Sequence, residues 1–559
     1  MDPFELGTLY QSLLRTASKY GDRPAYAVPP MKKRPYHPDG WQVTWAEVLA
    51  AVERRKQYYA QAGYGSGHRI AILFEQRPEF VFHHFALNAL GCSTVPMSPD
   101  HRHEELVYQL EHSEACLALS IPERISDVRA AVAELSRPIQ VVPFDDLSAA
   151  LPKPVVERLD VSLDGASEAA LLYTSGTTGK PKGCVLSNEY FHTFGGSFLW
   201  RGGRLALCEG EERLYNPLPL HHANCLSISL PSMLLAGGCL IFPDRFHASS
   251  FWQDVVTCDV TALQFQGVIP AILLKLPECN EERHHRVKFA LCAGVEPNLH
   301  EAFEKRYGFP LVEMWAMTET GRITTDHAEP RMIHTRAIGR SGPAHDLRAV
   351  DAEGNEVPDG EAGELVMRNS ADAPRKGFFS RYLKNPEATE EAWRGGWFHT
   401  GDTVARDATG MFFFLDRSKN IIRRAGENIA AAEVEACLVA HEKIHQAAVL
   451  AVPDELREEE VMALIVLKVE HEAGEALAQQ LFQFCCERMA YFKAPAYILF
   501  VDSLPTTSSQ KIQKVKLFPK GVDPRTQPGV IDLRTLKKKS TSGSTAKPEQ
   551  RPSDDYRSA

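Results

Sequence analysis

The residues best suited to chemistry in this 559-residue chain are gathered in LLYTSGTTGKPKG, Leu171 to Gly183. An apolar run, Leu171 to Tyr173, reads as a buried strand. It then breaks into Thr174, Ser175, Gly176, Thr177, Thr178, Gly179, Lys180, Pro181, Lys182 and Gly183. Hydroxyls, glycine backbone N–H groups and two ammonium groups in one loop are the chemistry of a wrap around a polyphosphate. A Walker A loop is excluded, because that motif needs four residues between its first glycine and Gly-Lys-Ser/Thr. Here two residues separate Gly176 from Gly179, and Pro181 follows the lysine. The bland alternative is a flexible Gly/Ser/Thr surface turn, although a random linker seldom follows a buried strand so closely.

Other stretches carry further candidates. Phe309 to Gly321, FPLVEMWAMTETG, is an apolar strand with a polar tip; the Trp315 indole offers stacking area, and the Glu319 carboxylate suits a hard Mg2+ ion. Asp402 follows a glycine in GWFHTGD and is suited to accept both hydroxyls of a ribose, the alternative being a capped turn aspartate. Lys288 to Pro297, KFALCAGVEP, reads as a strand ending in a glycine turn. His221–His222 and His284–His285 lack ligand-spaced partners nearby, so no zinc cluster is expected. Lys511, in a Ser/Thr turn, reads on its own as a solvated charge.

Composition bounds the setting. Hydrophobic content of 44% and charged content of 24% are those of an ordinary globular protein. A net charge of −10 argues against a general nucleic-acid binder. The N-terminus lacks a basic start followed by an apolar core, and no apolar run reaches about 20 residues, so neither a secretory signal nor a membrane span is expected. The 12 cysteines are scattered without a CxxC pair and read as reduced thiols of a cytoplasmic protein.

The elements that must position these residues follow from pattern. Residues 1–170 read as α/β units: a helix over Trp45–Gln61, a strand over Arg69–Phe74, a helix from Pro78 stopped by Gly91, and a strand over Ser93–Pro96. Strand, helix, strand at this spacing favours a parallel sheet. Leu226–Leu235 reads as a helix, and Arg340–Asp407 as strands and turns. At Phe412–Asn428 an aromatic strand breaks into a charged turn and restarts, as an interdomain linker would. Beyond it, a helix over Ala430–Ala440, strands near Ala447–Val452 and Met462–Val469 and a helix over Leu477–Met489 complete a compact α+β unit. The fold class is α/β: a large N-terminal domain of several subdomains with mixed sheets (1–418), a small α+β C-terminal domain (419–522), and a disordered polar tail (523–559).

These stretches, in this order, resemble the adenylate-forming superfamily of acyl-CoA synthetases, aryl-CoA ligases, peptide-synthetase adenylation domains and luciferases. The resemblance runs from about residue 40 to 516. It implies ATP, Mg2+ and coenzyme A as co-substrates and cofactor, a small carboxylic acid as substrate, and no nucleic-acid partner. It implies that Thr174–Lys180 and Lys182 hold the phosphates and that Gly294, Glu296 and Pro297 border adenine. Trp315 would stack on adenine, Thr318 contact the α-phosphate and Glu319 hold magnesium; Asp402 and Arg417 would bind the ribose. His222, Val268 and Ala316 would line the acyl pocket. Lys419 matches the hinge, about which the small domain is mobile, and Lys511 the catalytic lysine. Gly426 and Glu427, in RAGEN, match a loop that meets the pantetheine arm.

Three departures stand out: Ala316 and Ala425 where the family has glycine, and Gln510 before the lysine. Ala316 should narrow the acyl tunnel against long straight chains. The wording of Met317–Thr320, Trp397–Asp402, Asn420–Asn428 and Met489–Pro495 resembles the carnitine/crotonobetaine-CoA ligase branch more than long-chain or aryl ligases, which implies a short, medium or polar acyl group. An adenylation core that loads a carrier-protein thiol, one that stops at acyl-AMP, and a non-catalytic nucleotide-binding relative remain as alternatives.

Overall fold

The computed structural model describes residues 2–145, 151–174, 180–295, 297–342, 345–417, 421–468, 471–505, 514, 517–519 and 521–537. Its large domain holds sheets of eight, seven and five strands. The eight-stranded sheet runs, in spatial order, Thr324–Thr325, Leu311–Trp315, Phe289–Ala293, Ala262–Gln266, Arg213–Tyr215, Cys239–Ile241, Pro24–Val28 and Trp41–Thr44. The seven-stranded sheet runs Arg381–Tyr382, Lys182–Ser187, Glu168–Thr174, Ser93–Met97, Arg69–Leu73, Ala115–Ser120 and Gln140–Pro143. The central strands Ala262–Gln266, Phe289–Ala293 and Leu311–Trp315 of the first, and Ser93–Met97, Arg69–Leu73 and Ala115–Ser120 of the second, pair in parallel and are largely apolar, as strands covered on both faces must be.

The helices explain themselves locally. Trp45–Ala62 starts at Thr44, whose side chain accepts from Glu47 N while the Glu47 carboxylate accepts from the Thr44 N–H, and it ends at Gly63 with φ 96°; this is a capping box opposite a left-handed C-cap. Pro78–Asn88 has Pro at its first position and buries every residue except Glu79. A helix buried on all sides is a core helix, and this one packs against Trp45–Ala62 and Leu9–Tyr20.

One expected helix differs. In place of a uniform helix over Leu226–Leu235, Asn224–Ser229 forms a π-helical turn that passes into an α-helix at Leu230–Ala236. A buried polar network holds the wide turn. Asn216 Nδ2 donates to Asn224 Oδ1 (3.0 Å) and Ser229 Oγ (2.7 Å), Ser229 Oγ donates to Gln264 Oε1 (2.7 Å), and Gln264 Nε2 returns to Asn224 Oδ1 (2.9 Å).

From Ile421 onward the chain builds a separate sheet: Glu427–Ala430, Ile421–Arg424, Glu458–Leu467, Tyr497–Phe500 and Ile531–Asp532, with Ile444–Asp454 paired antiparallel along the other edge of Glu458–Leu467. Its core of Ile422, Val434, Leu438, Val449, Ile465, Leu481 and Ile498 is its own, so the expected two-domain α/β architecture is present. The tail is corrected: residues 523–537 are not a loose polar extension. Ile531 and Asp532 pair with Ile498 and Tyr497, and Leu533 is buried in the small-domain core. Residues 538–559 lie outside the described residues. Among those described, no helix is long and apolar enough to cross a membrane.

Candidate functional site

The candidate polyphosphate stretch is flanked by two antiparallel strands, with Thr174 opposite Lys182 and Tyr173 opposite Gly183. Ser175, Gly176, Thr177, Thr178 and Gly179 lie outside the described residues. Beside the loop, the Lys180 ammonium lies 5.2 Å from the centroid of the Tyr108 ring and that of Lys182 lies 4.7 Å from that of Tyr382. The Tyr382 hydroxyl donates to Glu319 Oε1 at 2.9 Å. Tyr382, which no motif flagged, therefore ties a loop lysine to the candidate metal carboxylate. Burial, with the Glu319 charge second, drives its phenol pKa far up, so the hydroxyl stays a donor. Thr318 precedes Glu319 and accepts from the Tyr190 hydroxyl through its carbonyl (2.7 Å).

Trp315 ends the strand Leu311–Trp315, and its Nε1 donates to Asp402 Oδ2 at 2.9 Å. Asp402 lies inside the strand Phe398–Arg406 and opposite Arg417 in register. The two candidates for base and ribose are thus joined by one hydrogen bond, both buried. Gly294 has φ 76° and approaches Gly267 so closely that a Cβ there would stand 2.0 Å from the Gly294 carbonyl oxygen. The N–H groups of Gly294 and Val295 donate to the two oxygens of Glu313 at 2.7 and 3.0 Å. Burial nonetheless pushes the Glu313 carboxyl up to about 8. Pro297 opens the next helix; Glu296 lies outside the described residues. Ala316 is half-buried just past Trp315, against the main core, and Val268 opens the helix Val268–Lys275.

The small domain enters the same region. Arg424 pairs with Glu427 across a two-residue turn in which Ala425 has φ 48° and Gly426 φ 90°. Both positions are left-handed, as a type I′ hairpin requires. A Cβ on Gly426 would stand 2.9 Å from Gln266 Oε1 and 3.6 Å from Leu218 Cδ2 of the large domain. Next to it, His222 Nε2 meets Glu427 Oε2 at 2.7 Å. Burial alone would raise the Glu427 carboxyl, but His222, His221 and Lys493 outweigh it and hold it down to about 2. Lys493 Nζ, deeply buried, bridges Glu105 of the large domain at 2.5 Å and Glu433 of the small domain at 2.7 Å. A cavity of about 980 Å3 opens beside this contact, lined in part by Tyr36, Arg102, His221, Arg245, Glu427 and Tyr491.

Ligating atoms of His221, His222 and Glu427 fall within 4.8 Å of one another, although the sequence offered His221–His222 no local partner. At 2.7 Å, His222 and Glu427 are closer than the roughly 3.3 Å at which two ligands of a tetrahedral zinc ion stand. The contact is an ion pair. Lys419 and Lys511 lie outside the described residues.

Residues 13–375 match the model of the AMP-binding enzyme family, and residues 433–511 match that of its C-terminal domain. The chain belongs to the AMP-binding enzyme family. The enzyme is 29% identical over 488 residues to the crotonobetaine/carnitine–CoA ligase of Escherichia fergusonii, covering 84% of this chain and 92% of that one. The Proteus mirabilis ligase of the same name is 29% identical over 85% and 93% of the two chains. Among solved structures, a double mutant of Bacillus subtilis o-succinylbenzoate CoA synthetase bound with its product analogue matches with TM-score 0.77 and 26% identity over 90% and 98% of the chains. The Bacillus synthetase in complex with AMP matches at 0.61, with 26% identity over 91% and 98%.

Proposed function

We propose that this enzyme condenses a short or medium, partly polar carboxylic acid with ATP to give acyl-AMP and pyrophosphate, and then passes the acyl group to the thiol of CoA, releasing AMP. A carboxylate is a poor electrophile, and AMP is a good leaving group. Charge builds on the α-phosphate during the first step, so positioned donors and cations matter more than an acid or base. Thr174–Lys180, Lys182 and Thr318 would hold the phosphates, and Lys511 would supply a cation at the α-phosphate. Trp315, with Gly294, Glu296 and Pro297, would frame adenine, and Asp402 and Arg417 the ribose. Glu319 fits Mg2+ in kind: a buried carboxylate with one oxygen oriented by Tyr382, as second-shell donors orient metal ligands. A bound Mg2+ would neutralise phosphate charge.

The observation that carries the CoA step is the small-domain hairpin seated in the large domain, with Gly426 against Gln266 and Leu218 and Glu427 on His222. A glycine tip leaves room for a slender pantetheine arm, and the adjoining cavity gives it a route. This arrangement supports the thioester-forming orientation; rotation about Lys419 would exchange it for one presenting Lys511. His222, Val268 and Ala316 would shape the acyl pocket, and relatives that act on crotonobetaine and carnitine favour a small polar acid. Free thiols at all 12 cysteines are in keeping with work in the cytoplasm.

The test is a panel of carboxylic acids scored first by pyrophosphate release and then by AMP release with free CoA or with a carrier protein. Pyrophosphate release with AMP release only on adding CoA supports the reading. Discharge to a carrier protein alone would favour a carrier-loading enzyme instead.

A further inference from the structure

Beyond residue 511, where the match to the family's C-terminal domain stops, the chain returns to the small domain and buries a lysine. Residues 521–537 cross the sheet edge and pair Ile531 and Asp532 with Ile498 and Tyr497. The Leu533 N–H donates to Ala496 O at 2.7 Å, and the Arg534 guanidinium lies 5.1 Å from the centroid of the Tyr497 ring. The strap ends with Lys537 Nζ donating to Glu460 Oε2 at 2.7 Å, side-chain exposures being 1% and 0%. The other oxygen of the same carboxylate accepts from Arg424 Nε at 2.6 Å, and Arg457 Nε stands 3.9 Å away. Arg424 is the residue immediately before the Ala425–Gly426 turn.

We infer that Lys537 is a positioning residue for thioester formation, acting through Glu460 and Arg424 on the hairpin that enters the large domain. The inference rests on the CoA-ligase reading above. A buried polar cluster is retained only where its groups are compensated, and here one carboxylate is shared so that each oxygen has its own donor, Arg424 on one and Lys537 on the other, while burial, with the Arg424 charge second, pushes the Lys537 ammonium down to about 7. The turn beyond Arg424 holds alanine at φ 48°, a conformation that persists only where the surroundings over-determine it. Lys537 fixes the carboxylate, the carboxylate fixes the Arg424 guanidinium, and Arg424 anchors the first strand of the hairpin. Removing the Lys537 charge leaves Glu460 paired with Arg424, so no charge is stranded. It frees the carboxylate to turn and the hairpin base to shift. Among the described residues, the hydrogen bonds and ion pairs of Glu460 and Lys537 stay within the small domain.

The experiment measures the half-reactions separately in Lys537→Met, in Lys537→Gln and in a chain ending after Lys537, alongside unfolding midpoints. For both substitutions, pyrophosphate release should stay within about twofold while thioester formation from supplied acyl-AMP falls roughly tenfold with a raised KM for CoA. The chain ending after Lys537 should match the full-length enzyme. Equal loss in both halves, or loss only in proportion to the unfolded fraction, would overturn the inference and leave the CoA-ligase reading standing. A full-length enzyme that makes no thioester with CoA would overturn that reading and the inference with it.

Discussion

His222 Nε2 and Glu427 Oε2 stand 2.7 Å apart, an imidazole of the large domain against a carboxylate of the small one. Burial opposes charge on His222, but Glu427 outweighs it, and the pKa rises above the ordinary 6.5. The histidine's contribution to docking is therefore complete below pH 6.5 and is lost as pH climbs through the raised value. Glu427 works in the opposite sense. Held to about 2 against an ordinary 4.5, it contributes above pH 4.5 and is lost as pH falls toward 2. Docking should be strongest between these limits. A fluorophore pair placed across the two domains should report a docked fraction that declines on the alkaline side, and Glu427→Gln should flatten that limb. An alkaline limb unchanged in Glu427→Gln would mean the pair does not set it.

Ala425 occupies a left-handed position, φ 48°, at a cost of about 1–2 kcal/mol for a residue with a Cβ. Replacement by glycine removes that cost and restores some unfolded-state entropy, for a net gain of about 0.5–1 kcal/mol. Denaturant unfolding of the small domain should shift to higher concentration in Ala425→Gly. A shift to lower concentration would show that the alanine methyl makes a packing contact worth more than the strain.

Asp402→Asn keeps an oxygen for the Trp315 N–H and removes the charge. Hydrogen bonds to charged groups contribute about 1.5–3 kcal/mol, so the KM for ATP should rise roughly 10- to 100-fold with little change in melting temperature. A destabilised protein whose folded fraction binds ATP normally would assign Asp402 a structural role only.

Ala316→Gly should lengthen the range of acyl chains accepted. One methylene in an apolar pocket is worth about 1–3 kcal/mol, so the change should be graded along a homologous series of acids. Superimposable chain-length profiles would remove Ala316 from the pocket.

What could be read in the chain beforehand divides along physical lines. The Leu171–Gly183 stretch, Trp315, Glu319 and Asp402 could be put forward as candidates because local type and spacing carry their chemistry, and the parallel strands were legible because their apolar runs are continuous. Tyr382 was not, since a lone tyrosine becomes informative only when folding sets it between Lys182 and Glu319. The π-helical turn at Asn224–Ser229 has the same apolar pattern as an α-helix, and its cause sits in Asn216 and Gln264, outside the segment. His222 and Glu427 are 205 residues apart, so no window could pair them. The strap at 523–537 was hidden by its polar composition, because two anchors, Leu533 and Lys537, decide its order.

The central claim is that one site serves two reactions by exchanging Lys511 for the Ala425–Gly426 hairpin. The most direct measurement takes Lys511→Ala and Gly426→Ala and assays pyrophosphate release and thioester formation from supplied acyl-AMP in each. Lys511→Ala should slow the first reaction by about 10²–10³-fold, as losing a transition-state donor does, and spare the second. Gly426→Ala, whose Cβ would press on Gln266, should spare the first and slow the second. Equal damage to both reactions in either variant would contradict the exchange.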